Sequence, residues 1–224
     1  MKRLISLVLL IIIVSTLVFS LFGCARNREY NEAEVIEAAK TLIKKSEELN
    51  LIYYGEGLPY SSDPSAADGY YYVVDYSAAA RYGISTLADL SAKTKAVYSE
   101  KLAASMIKAG TTSVYEGETL LVSSRYYQKY DPLTNEPIDI MVYSNYNPFL
   151  TDDVVYDYGS ITVLGSEREI VYVTINATAT NEEGKTQTNL LKIGLIEETN
   201  GWRLNSPTYT SYIDREAYEE LENK

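Results

Sequence analysis

The chain has 224 residues, a formal net charge of −11, no histidine, one cysteine, and 22 tyrosines against three phenylalanines. That length suits one globular domain. The missing histidine excludes Ser-His-Asp hydrolysis, His-ligated zinc or haem and histidine acid–base chemistry, and a single cysteine excludes internal disulfides and thiolate clusters. No cofactor and no metal is expected.

The amino terminus reads as an address. Met1-Lys2-Arg3 precedes an almost unbroken apolar run from Leu4 to Phe22, the pattern of a secretory signal. The run ends in Leu21-Phe22-Gly23-Cys24, which resembles a bacterial lipobox, in which the cysteine receives the lipid. The expected organisation is a lipoprotein signal peptide at 1–23, lipidated Cys24 with a short tether at 24–30, one domain at 31–213 and an acidic tail at 214–224. An uncleaved signal anchor is the alternative, because a run of this length can span a bilayer. Either way the domain is expected outside the cytoplasmic membrane, and on the first reading the membrane is a partner through Cys24. Cleavage before Cys24 removes Lys2 and Arg3 and no acid, moving the charge from −11 to −13. Such a domain is repelled by nucleic-acid phosphate, so nucleic acid is not expected as a partner. A basic protein surface would be attracted.

Along the domain, Asn31 with Glu34 reads as a capping-box-like helix start. Val35, Ile36, Ala39, Leu42 and Ile43 follow at helical spacing, giving a helix over 32–49. From Tyr53 to Tyr76 glycines and prolines interrupt any period, so a long loop is expected, with a short strand at 70–74. Thr86, with Asp89 in the first turn, starts a second helix, and Ser99 a third with Leu102, Met106 and Ile107 inward. Gly110 is the expected stop. Beyond 111 the period becomes two. Strands are expected at 119–128, 138–145, 154–164, 169–180, 187–197 and 201–209. In 169–180 one face carries Val171, Val173, Ile175, Ala177 and Ala179. Trp202 and Leu204 are expected on one face, packed on the first helix. Helices followed by consecutive strands with short turns mean α+β, with the helices on a curved antiparallel meander, cone-like or an open barrel.

This order resembles the cone-shaped α+β domains of the nuclear-transport-factor-2-like superfamily. More narrowly, Tyr53-Tyr54-Gly55-Glu56-Gly57, Ile84-Ser85-Thr86-Leu87-Ala88-Asp89-Leu90, Tyr98-Ser99 and Trp202-Arg203-Leu204-Asn205-Ser206-Pro207 look like the secreted inhibitors of cell-wall DL-endopeptidases, the IseA family. The resemblance implies a protein without chemistry of its own that covers the cleft of an NlpC-type peptidase.

Motifs that would carry chemistry are read as structural. Ser105-Met106-Ile107-Lys108 matches Ser-x-x-Lys, in which an amine one turn away activates a serine, but the companion Lys-Thr-Gly is absent. Asp152, Asp153 and Asp157 offer oxygen ligands without a calcium-loop pattern. Gly55-Glu56-Gly57 lacks the third glycine of a phosphate loop. The tyrosines remain. They give large contact area and a polar tip at low entropy cost, which suits a protein or glycan surface. They also serve as strand core, and adjacent tyrosines in a strand face opposite ways. The expected partner-binding residues are Tyr70, Tyr71 and Tyr72 and, beside the 131–137 turn, Tyr126, Tyr127 and Tyr130.

The function expected is therefore a membrane-anchored extracytoplasmic lipoprotein, non-enzymatic, binding an envelope protein that the resemblance makes a cell-wall peptidase. A small-ligand or glycan pocket inside the cone and an enzyme working through carboxylates alone are the alternatives.

Overall fold

A computed structural model describes residues 29–116, 119–148 and 150–211. The signal peptide, Cys24 and the tail from 214 lie outside the described residues. Helix α1 (Glu32–Tyr54) is followed by β1 (Tyr71–Val73), α2 (Tyr76–Ala79), α3 (Leu87–Val97), α4 (Glu100–Thr111), β2 (Val114–Glu116) and β3 (Thr119–Val122). Then come β4 (Tyr126–Tyr130), β5 (Pro137–Tyr143), β6 (Asp153–Glu167), β7 (Ile170–Thr180), β8 (Thr186–Glu198) and β9 (Gly201–Leu204). The fold is α+β, with a curved, unclosed sheet. Among the described residues no helix is long and apolar enough to cross a membrane.

The larger sheet is an antiparallel meander in the order β6-β7-β8-β9. Its inner face is the one the alternation in β7 marks: Val171, Val173, Ile175, Ala177 and Ala179 are all buried, with Ile193 and Leu195 beside them. Val35, Ala39, Leu42 and Ile43 of α1 enter the same core. The pairing of β6 with β7 shifts register between Asp157 and Thr162 and again between Val163 and Gly165. Such bulges bend an edge strand and interrupt the template it would offer to another chain.

The strands do not form one continuous meander as expected. β4 and β5 make a hairpin, and β5 pairs on its other side with β1, giving a separate sheet in the order β1-β5-β4. The expected strand at 119–128 breaks at 123–125. There Arg125 turns inward to donate from Nη2 to the Gly55 carbonyl at 2.6 Å. Ser124 leaves the ladder, its N–H donating to Ser113 Oγ at 2.9 Å.

The helix ends explain other departures. α1 runs five residues past its expected end, to Tyr54. Its last carbonyls, which have no partner inside the helix, are taken up by the smaller sheet and its flanks. Tyr126 Oη donates to Ile52 O at 2.6 Å. Tyr146 Oη donates to Tyr53 O at 3.2 Å, and the Leu150 N–H to Tyr54 O at 2.9 Å. At the other end Asn31 accepts from Ala33 and Glu34, but Glu34 does not reach back to complete the box. Its carboxylate accepts from Trp202 Nε1 at 3.1 Å. Thr86 and Asp89 do form a full capping box. Ser99 makes no side-chain cap. Glu198 of β8 accepts from the Glu100 N–H at 2.9 Å instead. Gly110 does not stop α4, which continues to Thr111. Its hydrogen side chain is a packing requirement, since a Cβ there would lie 2.9 Å from the Tyr53 ring. Of the three α4 residues expected inward, Met106 is buried, and Leu102 and Ile107 are half-buried.

The last strand also ends early. After Leu204 the Asn205 N–H donates to Gly194 O at 2.7 Å, and the chain turns so that Thr208 is fully buried beneath α1. Ser46 Oγ lies 2.6 Å from Thr208 Oγ1, Asn50 Nδ2 donates to the same hydroxyl at 3.0 Å, and Tyr98 Oη donates to Asn50 Oδ1 at 3.1 Å. Tyr156 Oη of β6 donates to the Thr208 carbonyl at 2.9 Å. Burial makes these phenols, and that of Tyr53 beside Thr94 Oγ1 at 2.9 Å, harder to ionise, pushing Tyr156 and Tyr53 each up to about 12 and Tyr98 further in the same direction. A pKa raised in the folded state means that this stability is fully present below the unfolded tyrosine value of about 10 and is lost as pH rises through the folded values. Unfolding temperature should therefore hold steady from pH 8 to about 10 and fall steeply between about 10 and 12, in step with phenolate absorbance at 295 nm.

Trp202 and Leu204 do pack on α1, as expected, but unequally: Leu204 is fully buried and Trp202 half-buried. Trp202→Ala should cost about 1–2 kcal/mol in a denaturant titration, less than the roughly 3–5 kcal/mol of a fully enclosed aromatic.

Candidate functional site

The smaller sheet gathers the tyrosines. Its ladder sets Tyr71 opposite Tyr143, Tyr126 opposite Val142 and Tyr127 opposite Met141. Alternation then sends Tyr71, Tyr127, Met141 and Tyr143 to one face and Tyr72, Tyr126 and Val142 to the other. The second face meets the main core, which includes Tyr126 and Val142.

On the outer face the rings form a continuous row. Tyr70 and Tyr143 meet edge to face at 6.4 Å between centroids, Tyr71 and Tyr127 likewise at 4.9 Å, and Tyr143 and Tyr71 lie tilted between them at 5.2 Å. Each such contact adds about 0.5–1.5 kcal/mol beyond burial. Beneath them Met141 is fully buried. The row is held by its hydroxyls. Tyr71 Oη donates to Ser124 O at 2.7 Å, and Tyr127 Oη to Asp68 Oδ2 at 2.6 Å. Partial burial and the Asp68 carboxylate both favour the neutral Tyr127 phenol and raise its pKa. Asp68 is fixed in turn by paired backbone bonds with Tyr71. The 55–70 region is thus a strap that runs along the β1 edge of this sheet, with a short 3₁₀ turn at Pro64–Ala66 capped by Asp63.

The expected binding tyrosines divide by environment. Tyr70 is 64% and Tyr130 53% exposed, both open to a partner. Tyr71 and Tyr127 are half-buried within the row. Tyr72 stacks on Tyr60 at 5.7 Å on the other side of the strand. Tyr126 is the correction. It is fully buried, its hydroxyl donating to Ile52 O and accepting from the Leu58 N–H at 3.1 Å, so no partner reaches its ring. The period-two rule that one of two adjacent tyrosines faces inward holds for this pair; composition alone gave no sign of which.

Arg125 was not singled out by the sequence. It is buried, its guanidinium 3.9 Å from the Tyr146 ring centroid, with Nε and Nη1 unbonded. It closes on Gly57, held at φ +89°, where a Cβ would lie 2.4 Å from Nη2. The Gly55-Glu56-Gly57 stretch is therefore a seat for an arginine. Ser105 and Lys108 are both solvent-exposed on α4.

One concavity of about 170 Å³ lies between α1 and the start of β6, lined by Glu47, Asn50, Asp152, Asp153, Tyr156 and Tyr209 among others. Glu47 accepts a short hydrogen bond from Tyr158. Small-molecule sites run to about 300–1,000 Å³, so this one has room for a small group only. Asp157 accepts from the Gly159 N–H at 3.0 Å within its own bulge. Among the described residues no three acidic or cysteine side chains are grouped to hold a metal ion.

No family model matches the chain, and no curated protein or solved structure matches it either.

Tyr126→Phe should destabilise by about 1–3 kcal/mol, because it leaves the buried Leu58 N–H and Ile52 carbonyl unpaired. Tyr130→Ala, at an exposed position, should stay within about 0.5 kcal/mol of the parent, and Tyr70→Ala should cost about 0.5–1.5 kcal/mol through its lost contact with the Tyr143 ring. Chemical denaturation of the three variants side by side gives the comparison.

Proposed function

We propose that the domain is a non-enzymatic protein-binding module, held outside the cytoplasmic membrane by lipid on Cys24, whose partner is a basic protein of the cell envelope. The observation that carries the reading is the row of tyrosines on the outer face of the smaller sheet. It is braced by hydroxyl bonds to Ser124 and Asp68, and Tyr70 at its end and Tyr130 on the adjoining strand are open to solvent. Rigid aromatics lose little entropy on binding and make good anchors. The acidic charge of the chain, −11 over its full length, favours encounter with a basic surface. Among envelope proteins, the resemblance to the DL-endopeptidase inhibitors names the first partner to try.

The small concavity beside Glu47 and Asp153 supports a second reading, binding of a small cationic group.

Two measurements test the proposal. Cys24→Ala should abolish lipid labelling and move the protein from the membrane to the soluble fraction; unchanged labelling removes the anchor. The purified catalytic domain of a cell-wall DL-endopeptidase, titrated with the protein, should lose muropeptide hydrolysis, with inhibition weakened by Tyr70→Ala and by added salt. Full hydrolysis at saturating protein removes the peptidase as partner.

A further inference from the structure

The carboxyl half of α1 and the start of β6 do not close on each other. Glu47 and Leu51 of α1, one helical turn apart, and Asp153 and Tyr156 of β6 border the concavity of about 170 Å³ that is left between them. Three kinds of side chain wall it. The apolar wall is Leu51, Leu150 and Val154, and α1 leaves Leu51 46% exposed here. The aromatic wall is Tyr156 and Tyr209, and both rings are held in place. Tyr156 is fixed by its bond to the Thr208 carbonyl, and Tyr209 by a ring contact with Tyr54 at 5.1 Å between centroids. The charged lining is all carboxylate, Glu47, Asp152 and Asp153, and among the described residues no lysine or arginine borders the space.

Glu47 sets the field inside. Its Oε1 accepts from Tyr158 Oη, a bond the carboxylate would lose by swinging out to solvent. After burial, it is the Glu47 carboxylate that raises the pKa of both Tyr156 and Tyr158, since a second negative charge beside it is opposed. The same field draws in a cation. A half-buried carboxylate is screened by salt less than an exposed one, and the face of a tyrosine ring attracts positive charge within about 6 Å of its centroid. The apolar wall adds a further requirement. A bare metal ion would gain nothing from Leu51, Leu150 and Val154, and among the described residues no three acidic side chains are grouped to hold one. Methylene groups laid against that wall would leave water, as the stem of a lysine does along apolar surface.

We infer that the concavity between α1 and β6 binds a primary alkylammonium group, with the nitrogen between the carboxylates of Glu47 and Asp153 and the methylene stem along Leu51, Leu150 and Val154. Tyr156 and Tyr209 flank the stem. A primary ammonium brings three donors and no acceptor, which matches a lining of carboxylates without a basic side chain. A quaternary ammonium has no N–H to offer them. The walls are held before any ligand arrives, so little ordering opposes binding. The inference rests on the small-cation reading above and names the cation. The same chemistry occurs as a free aliphatic amine and as the side-chain end of a lysine in a peptide, and the test separates the two.

The test titrates the isotope-labelled full-length protein, in a neutral detergent, while the NMR shifts of the Glu47, Leu51, Asp153, Val154 and Thr210 amides are followed. The probes are n-pentylammonium, Nα-acetyl-lysine methylamide, tetramethylammonium and n-pentanol. The two primary amines should move these amides with a Kd of about 1 mM, at least tenfold tighter than tetramethylammonium or the alcohol, and more weakly as salt rises. Glu47→Gln keeps an acceptor for Tyr158 and should weaken pentylammonium at least fivefold. Asp153→Asn, at an exposed position, should weaken it severalfold with the unfolding temperature unchanged, and carries the test alone if Glu47→Gln fails to fold. Tighter binding of the lysine amide assigns a peptide-borne side chain, and tighter binding of pentylammonium a free amine. Equal binding of tetramethylammonium and pentylammonium overturns the primary alkylammonium and leaves the small-cation reading standing. Equal binding of pentanol, or amides that no cation moves, overturns both. Pentylammonium affinity unaltered in every folded variant overturns the placement between Glu47 and Asp153.

Discussion

The carboxyl end of α1 is where the two halves of the molecule are joined. A helix leaves its last carbonyls without partners, and a buried carbonyl left unpaired costs about 1–3 kcal/mol. Here those of Ile52, Tyr53 and Tyr54 accept from Tyr126, Tyr146 and Leu150, and that of Gly55 accepts from Arg125. All four donors belong to the β4–β5 hairpin or to the segments that enter and leave it. The helix end therefore dictates where that sheet sits, and the sheet in turn completes the helix. A substitution at Arg125, Tyr126 or Tyr146, whose side chains are the donors, would act on both. The same logic places Arg125. Among the described residues its charge is buried without a carboxylate, against the face of Tyr146, because the carbonyl it serves lies inside.

One turn back along α1 the second junction is made of side chains. Ser46 and Asn50 meet Thr208, Tyr98 and Tyr156 in a buried network that draws together the helix, the carboxyl end of α3, the first strand of the meander and the segment after the last. Such networks fix one arrangement among several that apolar packing alone would tolerate. With its middle held to the large sheet and its end to the small one, α1 is the common frame of reference. The outer face of β1-β5-β4 is thus set rigidly relative to the meander although the two sheets share no ladder.

Much of this was legible in the sequence, for local reasons. The alternation of Val171 through Ala179 is a period-two signal that no helix could satisfy, and the core takes it as written. Thr86 with Asp89 is a cap whose two partners lie three residues apart. What stayed hidden depends on distant partners. Glu34 was expected to cap its own helix, but Trp202, 168 positions away, offers an indole N–H in its place. The pairing of β1 with β5 joins segments about 70 residues apart, and nothing in either marks the other. The break at 123–125 follows from Arg125 being needed by Gly55, which no local pattern announces.

The abundance of tyrosine over phenylalanine has a structural cause that bears on function. Tyr53 meets Thr94, Tyr71 reaches Ser124, Tyr76 accepts from the Ile140 N–H, Tyr98 reaches Asn50 and Tyr126 reaches Ile52. In each the ring fills space while the hydroxyl satisfies a polar group that the ring itself would otherwise cut off from water. Phenylalanine could do only the first. Most tyrosines here are therefore committed to the fold, and their number is no measure of a binding surface. The surface consists of the few aromatic and aliphatic groups whose burial nothing in the domain requires. Tyr70, Tyr130 and Leu133 belong to that remainder, and all three sit on the smaller sheet, which α1 holds in a fixed position. A rigid frame carrying a small number of uncommitted apolar groups within an acidic surface loses little entropy when a partner closes over it. That property, more than the count of aromatic residues, suits the sheet to recognition.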